Sequence, residues 1–162
     1  MLARTMLTFA TALLATSNAA IAQTGPRSHC DGAGRCRVAI SITGSCTDQA
    51  NIKVDPEVVA MGDGAGRTIV WRLPQGYEFC PAKGDAVQFK TGNLDSQFFD
   101  ARRTDHADGD DDHGAPDKCR RNFRWKNKNE PHTAGREYEY LIRFTGPGGE
   151  ACVKDPWIRN GR

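Results

Sequence analysis

Short runs of alternating apolar residues, each cut off by a proline or a glycine-rich turn, constrain this chain more than any other feature. Val38, Ile40 and Ile42 alternate with Ala39, Ser41 and Thr43, the period-two signature of a half-buried strand. The alternation recurs in Ile52 and Val54, in Ile69, Trp71 and Leu73, in Val87 and Phe89, in Phe123 and Trp125, and in Tyr138, Tyr140, Ile142 and Phe144. No comparable helical period follows the first 22 residues. Pro56, Pro74, Pro81, Pro116, Pro131, Pro147 and Pro156 fall between the runs, where a missing N–H breaks no ladder. Met61 to Gly66 and Gly146 to Gly149 supply further turns. Such spacing predicts an all-β fold, a single antiparallel β-sandwich.

The first 22 residues have the layout of a signal peptide, with Arg4, an apolar stretch from Leu7 to Ala15, and Ala20-Ile21-Ala22 before Gln23. The stretch is shorter than the roughly 20 residues that span a bilayer. The expectation is a soluble periplasmic or secreted protein with no transmembrane segment. Cleavage leaves 140 of the 162 residues, enough for one core. Residues 23–35 are assigned to a flexible leader and 36–162 to the sandwich domain, since Gly25, Pro26 and Arg27 offer nothing to bury.

Cys30, Cys36, Cys46, Cys80, Cys119 and Cys152 all lie beyond the first 22 residues. An even number in an exported chain implies three disulfides, and sequence does not choose among the fifteen pairings. Zinc-thiolate use is disfavoured, because no Cys-x2-Cys pair occurs.

Gly135-Arg136-Glu137-Tyr138-Glu139-Tyr140 is a Gly-x-x-Tyr-x-Tyr arrangement that resembles the entry to a late strand in immunoglobulin-like and cupredoxin-like sandwiches. With Trp71-Arg72-Leu73-Pro74 and the ending Asp155-Pro156-Trp157-Ile158-Arg159-Asn160, the chain also resembles small uncharacterised exported proteins of Gram-negative bacteria. The resemblance implies an immunoglobulin-like sandwich and no particular activity. The blue-copper site of cupredoxins is not expected: Ile142 stands where a thiolate ligand would follow Tyr140, and no His or Met lies beyond His132.

Charge is distributed in blocks. The aspartates at 105, 108, 110, 111, 112 and 117 lie in a stretch without Lys or Arg, and Lys118, Arg120, Arg121, Arg124, Lys126 and Lys128 follow without an acid among them. Thr91 to Asp117 reads as one long loop anchored by Phe98 and Phe99. Its His106, Asp108, Asp110, Asp112 and His113 form a candidate site for Zn, Cu(II) or Ni. An EF-hand is excluded, since His113 takes the glycine position and Cys119 that of the bidentate Glu. A solvated acidic loop is the plainer reading.

If Phe123 and Trp125 face the core, Arg120, Asn122, Arg124 and Lys126 form a stripe facing solvent, suited to phosphates or sulfates of an anionic polymer. Placing Trp125 opposite Tyr140 would pair Lys126 with Glu139 and Lys128 with Glu137, leaving Arg120, Arg124 and Arg143 as the binding patch. Trp71, Trp125, Tyr138 and Tyr140 are expected in the core, with Trp157 covering its open end.

No Gly-x-Ser-x-Gly occurs, and Cys-His catalysis conflicts with paired cysteines. The expected function is therefore a non-catalytic binding or accessory protein, with no catalytic residue and no specific nucleic-acid recognition. Its partner would be another protein or an anionic polymer. The alternative is a periplasmic metal-binding protein using the Asp/His loop, with a divalent metal as its sole cofactor. A hydrolase would instead show a cleft holding two carboxyls within about 10 Å.

Overall fold

The computed structural model describes residues 29–90, 97–105 and 117–161. Its first sheet has the strand order β2-β1-β4-β7-β6, from β1 (Arg35–Ile42), β2 (Ile52–Asp55), β4 (Arg67–Arg72), β6 (Phe98–Thr104) and β7 (Asn122–Asn127). The second has the order β3-β10-β8-β5, from β3 (Val58–Ala60), β5 (Ala86–Phe89), β8 (Glu137–Thr145) and β10 (Trp157–Arg159), while β9 (Ala151–Lys154) pairs with β8. The all-β expectation holds. The expected purely antiparallel pairing does not, because β1 pairs parallel with β4 and β3 with β10. Parallel neighbours need a crossover. Here the chain leaves the first sheet after β2, forms β3 in the second, and returns as β4 beside β1. Period-two alternation is the same in either direction, so the runs carry no record of it.

The apolar sides of the two sheets are joined by aromatic contacts. Trp71 of β4 meets Tyr140 of β8 edge-on at 5.5 Å, and its Nε1–H donates to the Tyr140 hydroxyl at 3.1 Å. Phe98 of β6 meets Tyr138 of β8 at 5.0 Å, and Phe89 of β5 meets Trp125 of β7 at 5.5 Å. Trp125 Nε1–H donates across to the Val87 carbonyl at 2.9 Å. Each such pair contributes about 0.5–1.5 kcal/mol beyond its buried area. Burial on β8 reads alternately in and out, with Tyr138, Tyr140, Ile142 and Phe144 buried as the sequence predicts. Trp157 differs from its expected role: it is 40% exposed on β10 and leaves the core to Ile158.

All six cysteines are paired, Cys30 with Cys36, Cys46 with Cys152, and Cys80 with Cys119. The second bridge ties the loop after β1 to β9, spanning 106 residues of sequence and linking the two sheets. The first closes a turn ahead of β1: Asp31 Oδ1 accepts from the Ala33 and Arg35 amides at 3.0 and 2.9 Å, and Gly34 takes the left-handed φ of +76°.

The loop expected from Thr91 to Asp117 is interrupted by β6, which forms an edge of the first sheet. A bulge between Phe99 and Arg102 breaks its alternation and hides the strand from periodicity. Where β7 and β10 end, Asn127 Nδ2 donates to Asn160 Oδ1 at 2.8 Å, and Asn160 Nδ2 to Thr133 Oγ1 at 2.7 Å. Asn129 Nδ2 binds the Gly62 and Gly64 carbonyls. These buried amides satisfy one another, and their role is to hold the connections together.

Candidate basic face and arginine pocket

Residues opposite one another in adjacent strands share a face of the sheet. With Ile69, Trp71, Phe123 and Trp125 turned to the core, the register of the first sheet places Phe99, Lys126, Thr68 and Arg35 in one outward row. Arg102, Arg124, Val70 and Arg37 form the next, and Thr104, Asn122, Arg72 and Ala39 the third, extended by Asp55 of β2. Among the described residues six cations therefore stand on these three rows, with Asp55 and Asp100 as the strand acids and Asp31 Oδ2 3.0 Å from Arg37 Nη1. Four strands contribute to this accumulation, and most of it comes from β1, β4 and β6, which the charge runs of the sequence did not point to.

Asp100 organises the centre. It sits in the bulge at φ +58°, a left-handed conformation that Asp and Asn tolerate better than other side chains. Its Oδ2 accepts from Arg124 Nη2 at 2.8 Å and lies 3.1 Å from Lys126 Nζ, while its Oδ1 accepts from Arg102. Burial pushes the Asp100 carboxyl up, but hydrogen bonds from Arg102 and Lys126 and the charges of Arg124 and Arg102 outweigh this and hold it below its ordinary value.

The expected solvent-facing stripe is corrected here. Arg124 has the predicted side of β7, yet its side chain is only 2% exposed beneath Asp100, and Asn122 is also buried. Arg120 precedes β7, exchanges backbone bonds with Phe79, and pairs through Nε with Asp105 Oδ1 at 2.6 Å. Arg143 belongs to β8 in the other sheet, where it donates to Gln88 Oε1 at 2.7 Å. Arg120, Arg124 and Arg143 thus do not form one patch. The expected β7–β8 pairs are absent because those strands lie in different sheets: Glu139 binds Lys90 at 2.6 Å, and Glu137 binds Arg159. His106, Asp108, Asp110, Asp112 and His113 lie outside the described residues.

A polar pocket of about 350 Å³ is lined by Arg72, Glu78, Asp105, Cys119, Arg120, Arg121 and Asn122. Arg72 and Asn122 belong to the third outward row, so the pocket adjoins the basic face. Glu78, Cys80 and Cys119 approach one another closely enough to suggest a metal site, but both sulfurs are committed to the disulfide. The carboxylates Glu78 and Asp105 share the pocket, the feature expected of a hydrolase cleft. Asp105, however, is engaged by Arg120, and among the described residues three guanidiniums line the pocket with these two acids.

No protein-family model matches the chain, and comparison with curated proteins and with solved structures gives no significant match.

Proposed function

We propose that this chain is an exported, disulfide-stabilised β-sandwich of immunoglobulin-like type, a non-catalytic module that binds an anionic polysaccharide on the outer face of its first sheet. The observation that carries the reading is the concentration of Arg35, Arg37, Arg72, Arg102 and Lys126 on one face, with Arg124 buried beneath Asp100 among them. A row of fixed cations on a sheet meets a polymer whose charges repeat at similar intervals. The polysaccharide is favoured over nucleic acid because Phe99 is the sole aromatic in these rows, too little for the base stacking that single strands require.

Export is supported by the layout of residues 1–22 and by the three disulfides, which belong to oxidising compartments. Among the described residues, no helix is long and apolar enough to cross a membrane. The two-layer sandwich is supported by the aromatic contacts that join the sheets.

The test is retention on immobilised heparin at low salt. The oxidised protein is expected to elute well after a neutral control, and Arg37→Gln with Lys126→Gln to elute earlier. Retention equal to the control, or unchanged in the double variant, would refute the assignment. Stronger retention on duplex DNA than on heparin would count against a polysaccharide.

A further inference from the structure

We propose that the pocket beside the basic face is a receptor for a single oxyanion group, the carboxylate, sulfate or phosphate borne by one residue of the bound polymer. This deepens the polysaccharide reading and rests on it. The pocket has a volume at the lower end of small-ligand sites, about 350 Å³, which suits one substituted sugar rather than a length of chain. Among the described residues its cations are three guanidiniums, each with five N–H donors in a planar fork that matches oxyanions in pairs.

Two of the three are held in place by the fold. Arg120 is fixed by Nε to Asp105 Oδ1 at 2.6 Å and by Nη1 to the Cys119 carbonyl at 3.2 Å. Arg121 donates through Nη2 to the Leu73 carbonyl at 3.1 Å. Their backbone is clamped by the reciprocal Phe79–Arg120 bonds of 2.7 and 3.1 Å and by the Cys80–Cys119 disulfide just before them. Donors held in this way lose little freedom when an anion arrives. Arg72 enters from β4, exposed, and is the residue shared with the face. The pocket and the face therefore differ in character: one is a fixed fork for a single group, the other a spread of charge.

The experiment is a 15N NMR titration of the oxidised protein with sulfate, phosphate and glucuronate separately, with glucose as the neutral control. The expected result is saturable shifts at Arg72, Arg120, Arg121 and Cys119 with at least one of the three anions, and the strongest anion identifies the group. Arg72→Gln should weaken that anion about tenfold, whereas Arg37→Gln should change it less than twofold. Replacing Cys80 and Cys119 with Ser should weaken it too, with near-ultraviolet circular dichroism confirming a folded core. Equal weakening by Arg72→Gln and Arg37→Gln would overturn the pocket in favour of diffuse attraction. Heparin retention without saturable small-anion shifts would overturn the pocket alone, and loss of both would overturn the face as well.

Discussion

Asp100→Asn isolates one carboxylate in the centre of the basic face. Asn accepts the same left-handed backbone, so the substitution removes charge with little conformational cost. The wild-type carboxylate lies 2.8 Å from Arg124, whose side chain is 2% exposed, and also contacts Arg102 and Lys126. Removing one partner of a buried ion pair costs about 3–5 kcal/mol. Asp100 itself is 23% exposed, and solvent screening lowers the expectation to about 2–3 kcal/mol. Urea unfolding followed by tryptophan fluorescence, with the disulfides intact, measures it at pH 7.

The pH dependence gives an independent check. The Asp100 carboxyl is held below its ordinary value in the folded protein. Its contribution is therefore full above the unfolded value of about 3.9 and is lost as pH falls through the lower folded value. Wild type and variant should converge in acid. In an Arg124→Met background the same substitution should cost much less, since the buried charge is gone. The variant should also bind heparin more tightly, because a negative charge has left the face. A cost below about 0.5 kcal/mol at pH 7, or one that persists unchanged in acid, would refute the reasoning.

In the chain-entropy picture, replacing Cys46 and Cys152 with Ser should destabilise by about 5 kcal/mol and replacing Cys30 and Cys36 by about 2 kcal/mol, because the sequence separations are 106 and 6. Thermal unfolding checks this, and the reverse order would contradict it. Burial raises the Tyr140 hydroxyl well above its ordinary value, against a smaller lowering by its bond from Trp71. Stability should consequently fall as pH climbs past about 10, and absorbance at 295 nm should show fewer than three tyrosines ionising before unfolding. Three ordinary titrations in the folded state would contradict the burial. Asn160→Ala should cost about 1–3 kcal/mol by stranding Asn127 Nδ2, while Thr133 Oγ1 keeps its bond to the Glu130 carbonyl. Heparin retention of that variant should match wild type, and a marked loss would mean that the network serves the site.

The strands that sequence revealed are those with one face buried and no interruption, such as β1 and β8. There the period of two is a direct consequence of burial. β6 stayed hidden because the bulge between Phe99 and Arg102 shifts its phase midway. Pairing partners were not legible either, since they are set by connections through the other sheet rather than by any local pattern. That is why β7 was matched with β8 when it lies between β4 and β6. The outward parity of Arg124 was readable, but its burial depends on Asp100, brought over it by the bulge in the neighbouring strand. Arg35, Arg37, Arg72 and Arg102 are scattered along 68 residues and become one surface only through the register.

The central claim is that the outer face of the first sheet carries the ligand. Mapping a heparin tetrasaccharide onto the oxidised protein by 15N NMR tests it most directly. The account predicts shifts along the outward rows at Arg35, Arg37, Thr68, Arg72 and Lys126, diminishing with added salt. Shifts centred instead on Glu139, Arg143 and Trp157 of the second sheet, or none at low salt, would contradict it.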